Sequence, residues 1–194
     1  VFKRDIDTGE TEKFHAGSKI APLSSDLVTD INLVGDTSVV IVNAFGRIEE
    51  LAPKTGEVKK RFSLNSLSSI QEPDYFSVFV DEDGDFWVFS EQSDRGLFFM
   101  DRQTGRELHF SAESSERKMT SNIITDVLQD EQNRIWVSTD HGGLQIIDKE
   151  GFSISHVQKI PGAANSLSQN SITSMIRDES GTIWMGTYKE GVNY

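Results

Sequence analysis

The chain has 194 residues, with 31 acidic and 19 basic side chains and a formal charge of −12, a balance that repels a phosphate backbone and excludes nucleic acid as a partner. It has no cysteine, so disulfides and thiolate metal sites are ruled out. Its apolar runs reach only the length of Val39-Val40-Ile41-Val42, a strand and not a membrane span, so membrane attachment would need parts outside this sequence.

In chain order, the first elements are two short strands ending near residue 20, joined by Asp5 to Gly9, which repeats the frame of Asp101 to Gly105. They are the third and fourth strands of a unit. Whole units then start near Asp26, Asp74 and Asn122, giving boundaries of 24–70, 71–118 and 119–165, and residues 168–194 begin another. The third unit shows the grammar most clearly. Strands are predicted at 123–128, 135–139, 143–148 and 152–157, four short alternating segments joined by Gly and Asp turns. No segment keeps an i, i+3, i+4, i+7 apolar pattern, so little helix is expected.

Two markers share one period. Trp87, Trp136 and Trp184 are spaced 49 and 48 apart, each inside D-E-x-[GN]-x-[IF]-W; Gly9, Gly56 and Gly105, in Thr-Gly turns, are spaced 47 and 49 apart. Gly151 is matched to them 46 residues after Gly105. Gly or Asn falls where a tight hairpin needs positive φ, and Asp can close the turn with its carboxylate. Repetition at this period predicts an all-β fold: about four blades of four-stranded antiparallel sheet, part of a larger β-propeller ring. The tryptophans are expected as wedges between blades. The two end segments are complementary half-blades, so self-closure or a strand-swapped homodimer is an alternative to pairing with further blades.

Catalytic signatures are missing: no P-loop, G-x-S-x-G or H-E-x-x-H is present, and His15, His109, His141 and His156 are dispersed. Acidic pairs such as Asp178-Glu179 fall in a repeated turn. The run Asp81-Glu82-Asp83-Gly84-Asp85 lacks the glycine position and distal Glu of an EF-hand. No enzyme, cofactor or metal is therefore expected. Recognition is expected in the loops after each second strand, which vary between repeated flanks. Phe45, Arg95, His141 and Tyr188 are the candidate ligand-binding residues: aromatic faces suit sugars and a guanidinium fork suits hydroxyls or carboxylates.

The stretch Asn170 to Thr187 resembles the two-component regulator propeller repeat; Asn122 to Thr139 with Gly142-Gly143-Leu144 is a second match, and Phe76 to Leu97 a weaker third. The resemblance implies the periplasmic sensor region of a hybrid two-component system, as in Bacteroidetes, with oligosaccharides as inputs. It also implies further blades, a membrane helix, a histidine kinase and a response regulator, none of them within these residues. The alternative function is a protein-interaction propeller without a small-molecule ligand. The chain starts at Val1 without an initiator Met or leader, which suggests a piece of a longer protein.

Overall fold

A computed structural model describes residues 1–19 and 22–194; Ile20, the last residue assigned to the opening half-blade, lies outside the described residues. Among the described residues the regular structure is β throughout, apart from one 3-10 turn at Asn65–Leu67. No helix there is long and apolar enough to cross a membrane. The chain forms two compact units, Val1–Val78 and Phe79–Tyr194.

The first unit opens with β1 (Phe2–Arg4) and β2 (Thr11–Lys13), an antiparallel pair. The Asp5 carboxylate accepts the Asp7 and Thr8 amides at 2.9 and 2.8 Å, and Gly9 takes φ +73°. Then β3 (Val28–Val34), β4 (Ser38–Asn43), β5 (Arg47–Leu51) and β6 (Val58–Ser63) make a four-stranded meander. This repeat has no tryptophan. Its core is Leu23, Ile41 and Leu51, backed by Phe14, Val28, Val39 and Val58; Ile41 and the three valines are β-branched and fit a pleated surface. β7 (Phe76–Val80) carries the chain into the second unit.

The second unit continues with β8 (Phe86–Ser90), β9 (Leu97–Met100) and β10 (Glu107–Phe110), in the sheet order β10-β9-β8-β7. β11 (Ile124–Gln129), β12 (Arg134–Thr139), β13 (Gly143–Asp148) and β14 (Ile154–Val157) form the next meander. β15 (Ile172–Arg177), β16 (Ile183–Thr187) and β17 (Val192–Asn193) form a three-stranded sheet.

The repeated Asp and Trp are one device. The Asp81, Asp130 and Asp178 side chains each accept the backbone N–H groups two and four residues on, closing the hairpin. The other carboxylate oxygen accepts the indole N–H of Trp87, Trp136 or Trp184 at 2.8, 2.7 and 2.7 Å. Gly84, Asn133 and Gly181 supply the positive φ. One side chain thus fixes both the turn and the ring, which explains why Asp and Trp recur together. Hydrogen bonds from Ser180 and Trp184 hold the Asp178 carboxyl down at about 2. Its contribution is present above the usual carboxylate range and is lost as pH falls through that value.

Burial of the three rings is unequal. Trp87 is fully buried, packed on Phe99, Phe110 and Phe152, whereas Trp184 is 40% exposed and touches Tyr194. The wedge expected from the sequence is therefore complete at Trp87 and partial at Trp184.

The match of Gly151 to the Thr-Gly turns needs correction. In those turns the positive-φ residue donates its N–H to the carbonyl four residues back, as Gly9, Gly56 and Gly105 do. In the third unit that residue is Phe152, with φ +55° and its N–H on the Asp148 carbonyl at 2.7 Å. A left-handed Phe costs on the order of 1–3 kcal/mol. Burying its ring beside Phe99, at a centroid distance of 5.0 Å, and in the cluster around Trp87 offsets that strain.

A further recurrent link, not anticipated above, joins consecutive first strands within each unit. A bulge at Val28/Asp30 turns Thr29 and Asp30 outward: the Thr29 hydroxyl donates to the Phe76 carbonyl at 2.6 Å and the Asp30 carboxylate accepts the Val78 N–H at 2.9 Å. The same bulge at Ile124/Asp126 gives Thr125 to the Ile172 carbonyl at 2.7 Å and Asp126 from the Met175 N–H at 2.7 Å. Burial raises the Asp126 pKa, against hydrogen bonds from Met175 and Val127 that lower it. A raised acid favours the folded state most when protonated, so this contribution is lost as pH rises through the folded value. Asp126→Ala, which orphans the Met175 amide, is expected to lower stability by roughly 1–3 kcal/mol. Asp126→Asn keeps an acceptor and should flatten the pH dependence in urea titrations at pH 4 to 7.

Candidate functional site

The loop after β12 turns through Asp140 and His141, the latter at φ +65°. The Asp140 N–H donates to the Ile123 carbonyl at 3.0 Å, and the His141 N–H to the Ser171 hydroxyl at 3.2 Å. In the next repeat the Tyr188 N–H donates to the Ser171 carbonyl at 3.0 Å, and the Lys189 N–H to Gln169 Oε1 at 2.9 Å. The chain entering β15 therefore fastens the exit loops of two consecutive repeats. Between them lies an open cavity of about 600 Å³, lined by Glu91, Asp140, His141, Gln169, Tyr188 and Lys189 over a floor that includes Thr125, Ile172 and Thr173.

Its chemistry is polar with one aromatic face. His141 Nδ1 lies 2.8 Å from Asp140 Oδ1, and both the imidazole and the Tyr188 ring are largely exposed. The Lys189 ammonium sits 5.0 Å from the Tyr188 ring centroid, a cation–π placement.

Of the four sequence candidates, His141 and Tyr188 share this cavity. Arg95 is not part of its lining; its carbonyl oxygen faces His109 Nε2 at 2.7 Å across the β9–β10 edge. Phe45 lies in the first unit, beside a separate cavity of about 620 Å³ with Arg47, Arg61, Ser24 and Leu67 in its wall. There the buried Glu49 carboxylate is taken up by Arg61 Nε at 2.7 Å and by Ser24. Sequence reasoning missed Glu91 and Gln169 because nothing in the repeat pattern shows which polar side chains reach the exit loops.

A third cavity, about 710 Å³, lies beside Trp136, Leu144, Ile183 and Tyr194. One repeat earlier the Phe152 ring fills the corresponding seam against Trp87. This space lies along the seam between those two repeats, beside the cluster of Leu144, Leu167, Ile183 and Met185.

The acidic run 81–85 holds a cation of its own. Carboxylate oxygens of Asp81, Asp83 and Asp85 come within 4.8 Å of one another, as hard-cation ligands do. Lys149 Nζ reaches all three, at 2.6, 2.7 and 3.0 Å, with its side chain only 7% exposed. Burial works to lower the Lys149 pKa, but hydrogen bonds to Asp81, Asp83 and Asp85 outweigh it and hold the value at about 12. The ion cluster is complete below the ordinary lysine pKa of roughly 10.4 and is lost only as pH rises through about 12.

Comparison with known proteins bears out the repeat read from the sequence. Residues 118–141 and 166–189 match the model of the two-component regulator propeller. Among solved structures, the chain resembles two extracellular domains from B. thetaiotaomicron, described as parts of the hybrid two-component systems BT3049 and BT4673. They are 21% and 19% identical, with TM-scores of 0.66 and 0.71 over 98% of this chain. It also resembles PorZ, a bacterial surface component of the type-IX secretion system of Porphyromonas gingivalis, at 18% identity and a TM-score of 0.63 over 98% of this chain. The chain spans 23%, 24% and 28% of those three structures. No curated protein compared with it matches. At these identities the likeness establishes the fold, an all-β propeller built from four-stranded antiparallel sheets.

Proposed function

We propose that this chain is part of the periplasmic sensor propeller of a hybrid two-component signalling protein, and that the His141–Tyr188 cavity receives an oligosaccharide. One observation carries the reading. The two segments that match the two-component regulator propeller, 118–141 and 166–189, contain the two exit loops that form the cavity. The structural neighbours described as extracellular domains of hybrid two-component systems support the same assignment. A non-catalytic role is consistent with carboxylates engaged in turns. The histidine kinase, the membrane helix and the remaining blades then belong to the rest of the parent protein. Phe45 and Arg95 are proposed as contacts outside the main cavity.

The test is thermal denaturation of the chain against a panel of oligosaccharides, since a ligand that binds only the folded state raises the midpoint. Tyr188→Ala is expected to weaken binding about 2- to 10-fold, the range for one aromatic contact of roughly 0.5–1.5 kcal/mol. A panel that shifts nothing, beside a soluble protein partner that does, would replace this reading with the interaction-scaffold function. A strand-swapped homodimer would show as doubled mass in sedimentation.

A further inference from the structure

We infer that the cavity beside Phe45 is a second ligand site, and that it takes a small amphipathic acid: a carboxylate carried on an aromatic or branched apolar body. This goes beyond the oligosaccharide reading and does not depend on it. The cavity, about 620 Å³, has the size of small-molecule pockets, which run to about 300–1,000 Å³. Its apolar wall is Phe45, Ile48, Phe62, Leu64, Leu67 and Ile70. The ionisable groups in the lining are two guanidiniums, Arg47 and Arg61, against one carboxylate, Glu49.

The carboxylate is already spent. Glu49 is buried; its Oε1 accepts Arg61 Nε at 2.7 Å, and its Oε2 accepts the Ser24 N–H at 3.0 Å and the Ser24 hydroxyl at 3.1 Å. Arg61 donates a second time, from Nη2 to the Pro22 carbonyl at 2.6 Å. This clamp belongs to the repeat. In the third repeat the strand register puts Gln145 in the place of Glu49, and Gln145 is bonded to His156 and Thr120 in the same way. Arg47 is different. It stands two residues before Glu49, where Gly143 stands two before Gln145, so the scaffold needs no side chain there. Its guanidinium makes no ion pair among the described residues. The turn that carries it is fixed: the buried Asn43 Oδ1 accepts the Phe45 and Arg47 N–H groups at 2.9 and 3.3 Å, and Asn43 Nδ2 donates to Ser24 Oγ at 2.9 Å. Gly46, at φ +70°, packs so closely on Leu67 that a Cβ would lie 2.6 Å from its Cδ1. Glu50 points to the opposite face of β5 and bonds Ser38. A guanidinium fork matches a carboxylate with two parallel hydrogen bonds, and the apolar wall beside it covers the body of the acid. The chain's charge of −12 acts against an anion at long range, but beyond about 8 Å it is screened at physiological salt.

The experiment is an NMR titration of the 194-residue chain with phenylacetate, its neutral isostere phenylacetamide, and acetate. Phenylacetate is expected to bind with a Kd of about 1 mM or below, roughly tenfold tighter than either of the others, and to shift the backbone N–H signals of residues 43–48 and 64–70. Arg47→Gln should remove the advantage of the acid over the amide and leave amide binding unchanged, whereas Phe45→Ala should weaken both alike. Arg47 is exposed, so its variant keeps the fold, which an unchanged melting midpoint verifies. Equal affinity for phenylacetate and phenylacetamide, or an Arg47→Gln variant that still prefers the acid, overturns the inference. So does an absence of binding, or shifts confined to residues 140–141 and 188–189. Each of these leaves the oligosaccharide reading, which concerns His141 and Tyr188, to stand or fall on its own test.

Discussion

Lys149→Met is expected to lower the unfolding free energy by about 3–5 kcal/mol, the range for removing one partner of a buried ion cluster. The methionine fits the volume but leaves three carboxylates facing one another. The Asp81 side chain is fully buried and that of Asp85 is 13% exposed, so both carboxylates would be left largely out of water without their cation. Asp83 is 61% exposed and can swing away, so Asp83→Asn should cost far less. Urea denaturation at pH 7 gives the difference directly. Calcium in the millimolar range should recover part of the loss in Lys149→Met, because the freed carboxylates suit a hard cation, and should leave the wild-type midpoint unchanged. A variant as stable as the wild type would show that the ammonium's desolvation cancels its three ion pairs.

Trp87→Ala is expected to cost about 3–5 kcal/mol, as truncation of a large buried aromatic does. The ring touches Phe99, Phe110 and Phe152 and sits in the core cluster with Met119, Ile135 and Ile147. Its loss also removes an N–H from Asp81, whose Oδ2 accepts both the indole at 2.8 Å and Lys149 at 2.6 Å. The two substitutions share that oxygen, so the double variant should lose less than the sum. Trp184→Ala is the control. Its ring keeps the same hydrogen bond to Asp178 but is 40% exposed, and a smaller loss of about 1–3 kcal/mol is expected from the smaller buried area. Equal losses at both positions would mean that the repeated hydrogen bond, and not seam packing, sets the energetics.

What could be read from the sequence was whatever local chemistry determines. The Asp-turn hairpins were visible because φ, carboxylate and indole all lie within seven residues. Strands predicted at 135–139 and 143–148 appear at Arg134–Thr139 and Gly143–Asp148 because alternation and turn residues agree there. Phe152 was misread because Gly151 stands next to it and glycine is the ordinary occupant of a left-handed turn; only the cluster around Trp87 shows why Phe takes that place. Lys149 looked like an ordinary turn residue. Its partners lie more than sixty positions earlier, and no periodicity encodes a cross-repeat ion cluster. The cavity was half legible. His141 and Tyr188 could be named because they occupy equivalent variable loops, but Gln169 and Glu91 depend on which way strand ends point.

The bulge link described above has a consequence for counting repeats. Thr-Asp stands at 29–30 and 125–126, whereas 77–78 is Ser-Val and 173–174 is Thr-Ser. Acid-bearing first strands thus alternate with acid-free ones, and the chemical period is two repeats long. Deleting the acid-free repeat between two acid-bearing ones, or duplicating an acid-bearing one, would set two partly buried carboxylates on successive first strands, whereas a change by pairs preserves the alternation.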